Sequence, residues 1–103
     1  MNIAMAQLNP MVGDIAGNVR RILDAYRRAA EQGADLVLTP ELSILGYPPK
    51  DLLLKPRFVA DGLAAVERLV REVDRPALLV GYAGRRERKR GRPLHNTVAL
   101  IAD

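Results

Sequence analysis

Gly33-Ala-Asp-Leu-Val-Leu-Thr-Pro-Glu-Leu42 places an apolar strand, its stop and an acidic residue within ten positions. Residues 35–39 read as a strand: the run is short and apolar, and Pro40 ends it because proline has no N–H to give to a sheet ladder. Glu41 follows two residues later, at the end of a strand where α/β sheets present functional groups. Pro40, Leu42, Ile44 and Leu45 flank it. An ionised carboxylate among apolar neighbours is poorly solvated, which favours proton uptake and suits a general base. On spacing alone, an exposed loop glutamate accounts for the same residue.

On the N-terminal side, residues 3–8 form a second apolar run bounded by Asn9-Pro10, which reads as a buried strand. Gly13-Asp14 and Gly17-Asn18 carry turn and cap chemistry. Ile15, Val19, Ile22, Leu23, Tyr26 and Ala30 then recur at three- and four-residue steps, one apolar face of a helix that Gly33 stops. On the C-terminal side, residues 42–49 read as a loop containing Gly46 and Pro48-Pro49. A second helix is expected over 56–73, with Pro56 in its first turn and Val59, Leu63, Val66, Val70 and Val73 as its apolar stripe. Leu54 and Phe58 are expected to anchor the loop to this helix. Strands follow at 77–82 and 96–102, with residues 85–92 connecting them. The order βαβ–loop–αββ, with apolar strands between amphipathic helices, predicts an α/β layered fold with a partly parallel sheet. The last strand runs to the end of the sequence, from which a piece of a larger α/β layer is expected.

Composition narrows the chemistry. The 103 residues suit one domain, and 49% of them are hydrophobic, enough for a core. With no cysteine, the chain holds no disulfide, no thiolate metal site and no cysteine nucleophile. A single histidine argues against a His-rich metal site, so no metal ligands are assigned. No apolar run reaches the ~18–20 residues of a membrane span. The N-terminus lacks the basic segment of a signal peptide, so the expected compartment is the cytosol, with no membrane partner. The net charge of +4 is local: residues 85–92, RRERKRGR, hold six basic residues against one acidic. Between Arg85 and Arg92 there is no aromatic residue, and a nucleic-acid footprint normally spreads over a face. The run therefore reads as a solvated connector; contact with another subunit or domain and nucleic-acid binding are the alternatives, and no nucleic-acid partner is expected.

Gly33 to Leu42 resembles the first catalytic signature of the nitrilase, or carbon–nitrogen hydrolase, superfamily. So does the opening Ile3-Ala-Met-Ala-Gln-Leu-Asn-Pro10 with Gly13-Asp14 and Asn18. Gly46-Tyr-Pro-Pro-Lys-Asp-Leu-Leu-Leu-Lys-Pro-Arg-Phe58 is similar to the glutaminase domains of glutamine-dependent NAD synthetases. Leu94-His-Asn-Thr-Val-Ala-Leu-Ile101 resembles the strand before that family's catalytic lysine. The resemblance covers residues 1–103 and implies the N-terminal part of an α-β-β-α sandwich, with about four strands and two main helices of the complete domain. It implies a Glu–Lys–Cys triad in which Glu41 matches the base and Tyr47 a tyrosine at the glutamine pocket. Lys50, Lys55 and Lys89 do not match the triad lysine. Asn96 matches a strand asparagine whose side chain holds backbone groups of a neighbouring loop. The resemblance also implies glutamine as substrate, a synthetase domain as partner and assembly into homo-oligomers. ATP and Mg are expected in that synthetase domain, and no cofactor in this chain. Lacking the nucleophile, the chain alone is expected to be inactive. An amidase acting on another C–N bond and a non-catalytic basic binding module are the competing readings; GYPPKDLL favours the first.

Overall fold

The computed structural model describes residues 1–40, 43–46, 55–85 and 94–102. Its elements are β1 (Ile3–Met5), α1 (Ile15–Glu31), β2 (Leu36–Leu38), α2 (Pro56–Glu72), β3 (Ala77–Arg85) and β4 (Leu94–Ile101). They form one four-stranded sheet in the order β1-β2-β3-β4. The first three strands are parallel, and β4 returns antiparallel to β3, with Leu78 opposite Ile101 and Arg85 opposite Leu94. Two crossovers that step the same way across a parallel sheet put both helices on one face. That face is the core: Val37, Leu78, Val80 and Ile101 meet Val19, Ile22, Tyr26 and Leu69 from the helices.

Local chemistry sets the ends of α1. Asp14 caps it by accepting from the Gly17 N–H at 3.0 Å. At the other end Gly33 takes φ +83°. Its N–H donates to the Ala30 carbonyl, and the Ala34 N–H donates to Ala29, both at 3.1 Å, which is the double closure of a Schellman cap. Pro56 opens α2 at a position where no N–H is needed.

Four expectations are corrected. The strand expected at 3–8 is only Ile3–Met5, and it is not buried: Ile3 and Met5 stand open while Ala4 faces the core. Among the described residues one sheet face has no layer over it, so only alternate residues are covered. On α1 the inward residue of the last turn is Ala29, not Ala30. On α2 the buried residues are Val59, Gly62, Ala65 and Leu69, with Val73 just after them, while Val70 is 55% exposed. The face turns toward Gly62 because Leu45 lies against it: a Cβ there would sit 2.8 Å from Leu45 Cδ2. Finally, the strand bounds differ: β3 continues through Gly84 to Arg85 and β4 starts at Leu94, antiparallel to it, while residues 86–93 between them lie outside those described.

Tyr26, expected in the core, is buried and its hydroxyl donates to the Pro76 carbonyl at 2.6 Å. Burial raises its pKa above 10.0; a hydrogen bond with the Asp74 backbone offsets part of the rise, and the Asp74 charge adds a smaller part. A phenol whose folded pKa lies above its unfolded value contributes stability below pH 10 that is lost as pH climbs through the folded value. Tyr26→Phe is expected to cost about 1 kcal/mol at neutral pH, for one lost hydrogen bond. Urea melts should show that gap between the proteins narrowing above pH 10; a constant gap would contradict the assignment.

Candidate active site

Parallel strands β1, β2 and β3 bring their carboxyl ends to one edge of the sheet, with β2 in the middle. There the chain leaves the sheet at Thr39. The Ala6 N–H still donates to the Leu38 carbonyl at 2.8 Å, and the Thr39 N–H to the Leu79 carbonyl at 3.1 Å. The Thr39 hydroxyl donates to the same Leu79 carbonyl at 2.9 Å. Glu41 itself, and Tyr47 with Pro48, Pro49, Lys50 and Leu54, lie outside the described residues. The structure therefore gives the frame on either side of Glu41.

The downstream side of that frame is residues 43–46. Ser43, Ile44 and Leu45 are at most 1% exposed, so this part of the expected loop is core. Ser43 donates from Oγ to Thr39 Oγ1 at 2.9 Å. The Leu45 carbonyl accepts from the Gly13 N–H at 3.0 Å. Gly46 adopts φ +86° with its α-carbon pressed on the 11–13 loop: a Cβ there would lie 2.5 Å from Val12 Cα. A side chain at this site would meet backbone in a left-handed conformation, which explains the glycine.

Asn18 joins these pieces. It is 1% exposed, inside the second turn of α1. Its Oδ1 accepts from the Met11 N–H at 2.8 Å and from Arg21 Nη1 at 3.1 Å. Its Nδ2 donates to the carbonyls of Met11 and Ile44, both at 2.8 Å. All four hydrogen-bonding positions of the amide are used. Sequence reading gave Asn18 to turn chemistry and gave the loop-holding amide to Asn96, whose side chain lies outside those described. The signal for Asn18 was present: it falls three residues after Ile15 and four before Ile22, on the helix's inner face, where an unpaired amide would be costly.

Shallow depressions lie elsewhere among the described residues. One, of about 600 Å³, lies between the starts of α1 and α2 and includes Asp14, Phe58, Asp61 and Arg68. Another, of about 400 Å³, includes Asp35, Asp74 and Arg75, at the amino ends of β2 and β3. Neither is lined by Thr39 or residues 43–46. Phe58 is partly buried against the core; the loop it is expected to anchor, with Leu54, lies outside the described residues. Among the described residues no group of three or more His, Cys, Asp or Glu is arranged to hold a metal ion, and no helix is long and apolar enough to cross a membrane.

The sequence profile of the carbon-nitrogen hydrolases matches residues 2–103. The chain belongs to the carbon-nitrogen hydrolase family. Within that family it is 45% identical over 103 residues to the glutamine-dependent NAD(+) synthetase of Synechocystis sp., a match covering 96% of this chain and 18% of that protein. The structure of glutamine-dependent NAD+ synthetase from Acinetobacter baumannii superposes with a TM-score of 0.87 at 33% identity, over 98% of this chain and 18% of that one. A mutant of the amidase from Nesterenkonia sp., carrying the acetamide moiety of fluoroacetamide on its active-site cysteine, superposes with a TM-score of 0.77 at 32% identity, over 97% of this chain and 37% of that one. This carbon-nitrogen hydrolase chain thus spans about 18% of the length of the synthetases it matches. Its single sheet with two helices on one face corresponds to part of their α/β architecture.

Proposed function

We propose that this chain supplies the N-terminal part of the glutaminase domain of a glutamine-dependent NAD synthetase. The observation that carries the reading is the likeness to such synthetases over 96% of this chain, joined to Gly46-Tyr-Pro-Pro-Lys-Asp-Leu-Leu53, which resembles their glutaminase domains. In this reading Glu41 is the general base. It takes the proton of a cysteine thiol as the sulfur attacks the side-chain amide carbon of glutamine. Collapse of the tetrahedral intermediate expels ammonia and leaves a glutamyl thioester, which water hydrolyses. A lysine stabilises the oxyanion at each tetrahedral step. Tyr47 lines the glutamine pocket, its ring packing and its hydroxyl free to orient the substrate.

The cysteine and the lysine come from outside these 103 residues, which contain no cysteine and no lysine at the matching place. The ammonia passes to a synthetase domain that amidates nicotinic acid adenine dinucleotide at the expense of ATP. ATP and magnesium belong to that domain, and no residue of this chain is assigned to them. Further copies and the synthetase domain are the protein partners, and the cytosol is the compartment. Support for Glu41 is its place directly after the central parallel strand, between two segments that the fold holds firmly.

The competing reading is an amidase with another substrate. Steady-state hydrolysis by the full-length protein distinguishes them: glutamine is expected to be cleaved with a far higher kcat/KM than acetamide. A preference for acetamide would assign the chain to the amidases.

A further inference from the structure

We propose that Ser43, Thr39 and Asn18 form a clamp that positions Glu41, so that they are positioning residues for the glutaminase reaction. The proposal rests on the reading of Glu41 as base. Its observations are independent of that reading. Only residues 40–42 separate Thr39 from Ser43. The two ends of this span are joined by a directional relay, Ser43 Oγ–H to Thr39 Oγ1 at 2.9 Å and Thr39 Oγ1–H to the Leu79 carbonyl at 2.9 Å. The relay ends on the backbone of β3, a strand in mid-sheet. The next residue, Ile44, has its carbonyl held by the buried amide of Asn18, which also grips both backbone groups of Met11.

The Ser43 hydroxyl is not needed to fill space. Alanine occupies nearly the volume of serine, and the core around Ser43 is already apolar. Hydroxyls that bond one another across a short span, here one buried and one half-buried, fix its ends without adding apolar burial, and a general base must be held within hydrogen-bond reach of the proton it takes. Displacement of a reacting group by about 1 Å costs on the order of 10²-fold in rate.

The test uses the full-length synthetase and four variants: Ser43→Ala, Asn18→Asp, Glu41→Gln and the Ser43→Ala/Glu41→Gln pair. Asn18→Asp keeps the acceptor for the Met11 N–H but replaces the donor to Ile44 with an oxygen. For Ser43→Ala, glutamine-dependent kcat is expected to fall by roughly 10- to 100-fold, with KM for glutamine and ammonium-driven NAD formation unchanged. In the pair, Ser43→Ala is expected to add no further loss to Glu41→Gln, because both act through one group. Wild-type kcat in Ser43→Ala, beside an inactive Glu41→Gln, overturns the clamp and leaves the base reading intact. Full activity in Glu41→Gln overturns the base reading itself. Equal losses of the glutamine and ammonium reactions in Ser43→Ala mark a structural role and overturn the clamp. If Asn18→Asp fails to fold, Ser43→Ala and the pair decide alone.

Discussion

Replacing Glu41 with glutamine in the full-length protein is expected, on the proposed function, to lower glutamine-driven NAD formation by roughly 10²–10⁴-fold, the usual contribution of a positioned acid–base group. The ammonium-driven reaction is expected to keep its unsubstituted rate. Glutamine has the shape of glutamate but carries no charge and takes no proton at neutral pH, so packing around residue 41 is disturbed little. In the proposed reaction ammonium bypasses the thioester chemistry and reaches the synthetase domain directly. The two reactions, run side by side on one preparation, separate a lost base from a lost fold. Loss of both at equal rates, with an unchanged melting profile, would take Glu41 out of the mechanism.

The second large effect concerns the open face of the sheet. Register places Met5, Leu38, Leu79 and Leu100 in one row across all four strands, with Ile3, Leu36 and Ala77 beside it and Val98 opposite Gly81. Ile3 is 54%, Met5 74%, Val98 65% and Leu100 63% exposed. Among the described residues no helix covers this side. A few hundred Å² of apolar surface, at ~25 cal/mol per Å², is worth several kcal/mol when buried, against the ~5–15 kcal/mol that holds a whole domain together. Patches of this kind mark an interface or an association hazard. The 103-residue chain by itself is therefore expected to self-associate, with a sedimentation coefficient that rises with concentration. Val98→Lys with Leu100→Lys should shift it toward monomer by placing two charges on the face. A monomer at every concentration with a sharp cooperative melt would contradict the assignment of this face as one built to be covered.

Much of this architecture is legible in residue types. The run ending at Pro40, the spacing from Ile15 to Tyr26 and the Asp14 and Gly33 signals place β2 and α1 because each obeys one local rule. The face of α2 is less legible. Valine and leucine at 63, 66 and 70 suggest one stripe, but Gly62 and Ala65 are buried because Leu45, seventeen residues upstream of Gly62, needs the room. Apolar periodicity does not register small residues that admit a neighbour. The length of β3 was hidden by Gly81, Gly84 and Arg85, which look like a strand's end until β4 pairs with them. At the site, Glu41 and Tyr47 are marked by motif alone. Two of the residues that frame Glu41 reach backbone groups far away in sequence, Asn18 at Ile44 and Thr39 at Leu79. No spacing rule encodes such a pair.

The central claim is that this chain belongs to a machine that moves the amide nitrogen of glutamine onto a dinucleotide acid. Its most direct test is isotopic. The full-length protein is supplied with amide-¹⁵N glutamine, ATP, magnesium and nicotinic acid adenine dinucleotide, and the NAD formed is analysed by mass spectrometry. The account predicts ¹⁵N in the carboxamide of NAD and a matching amount of glutamate. Consumption of the dinucleotide acid without label in the product, or glutamine left intact while NAD accumulates, would contradict it.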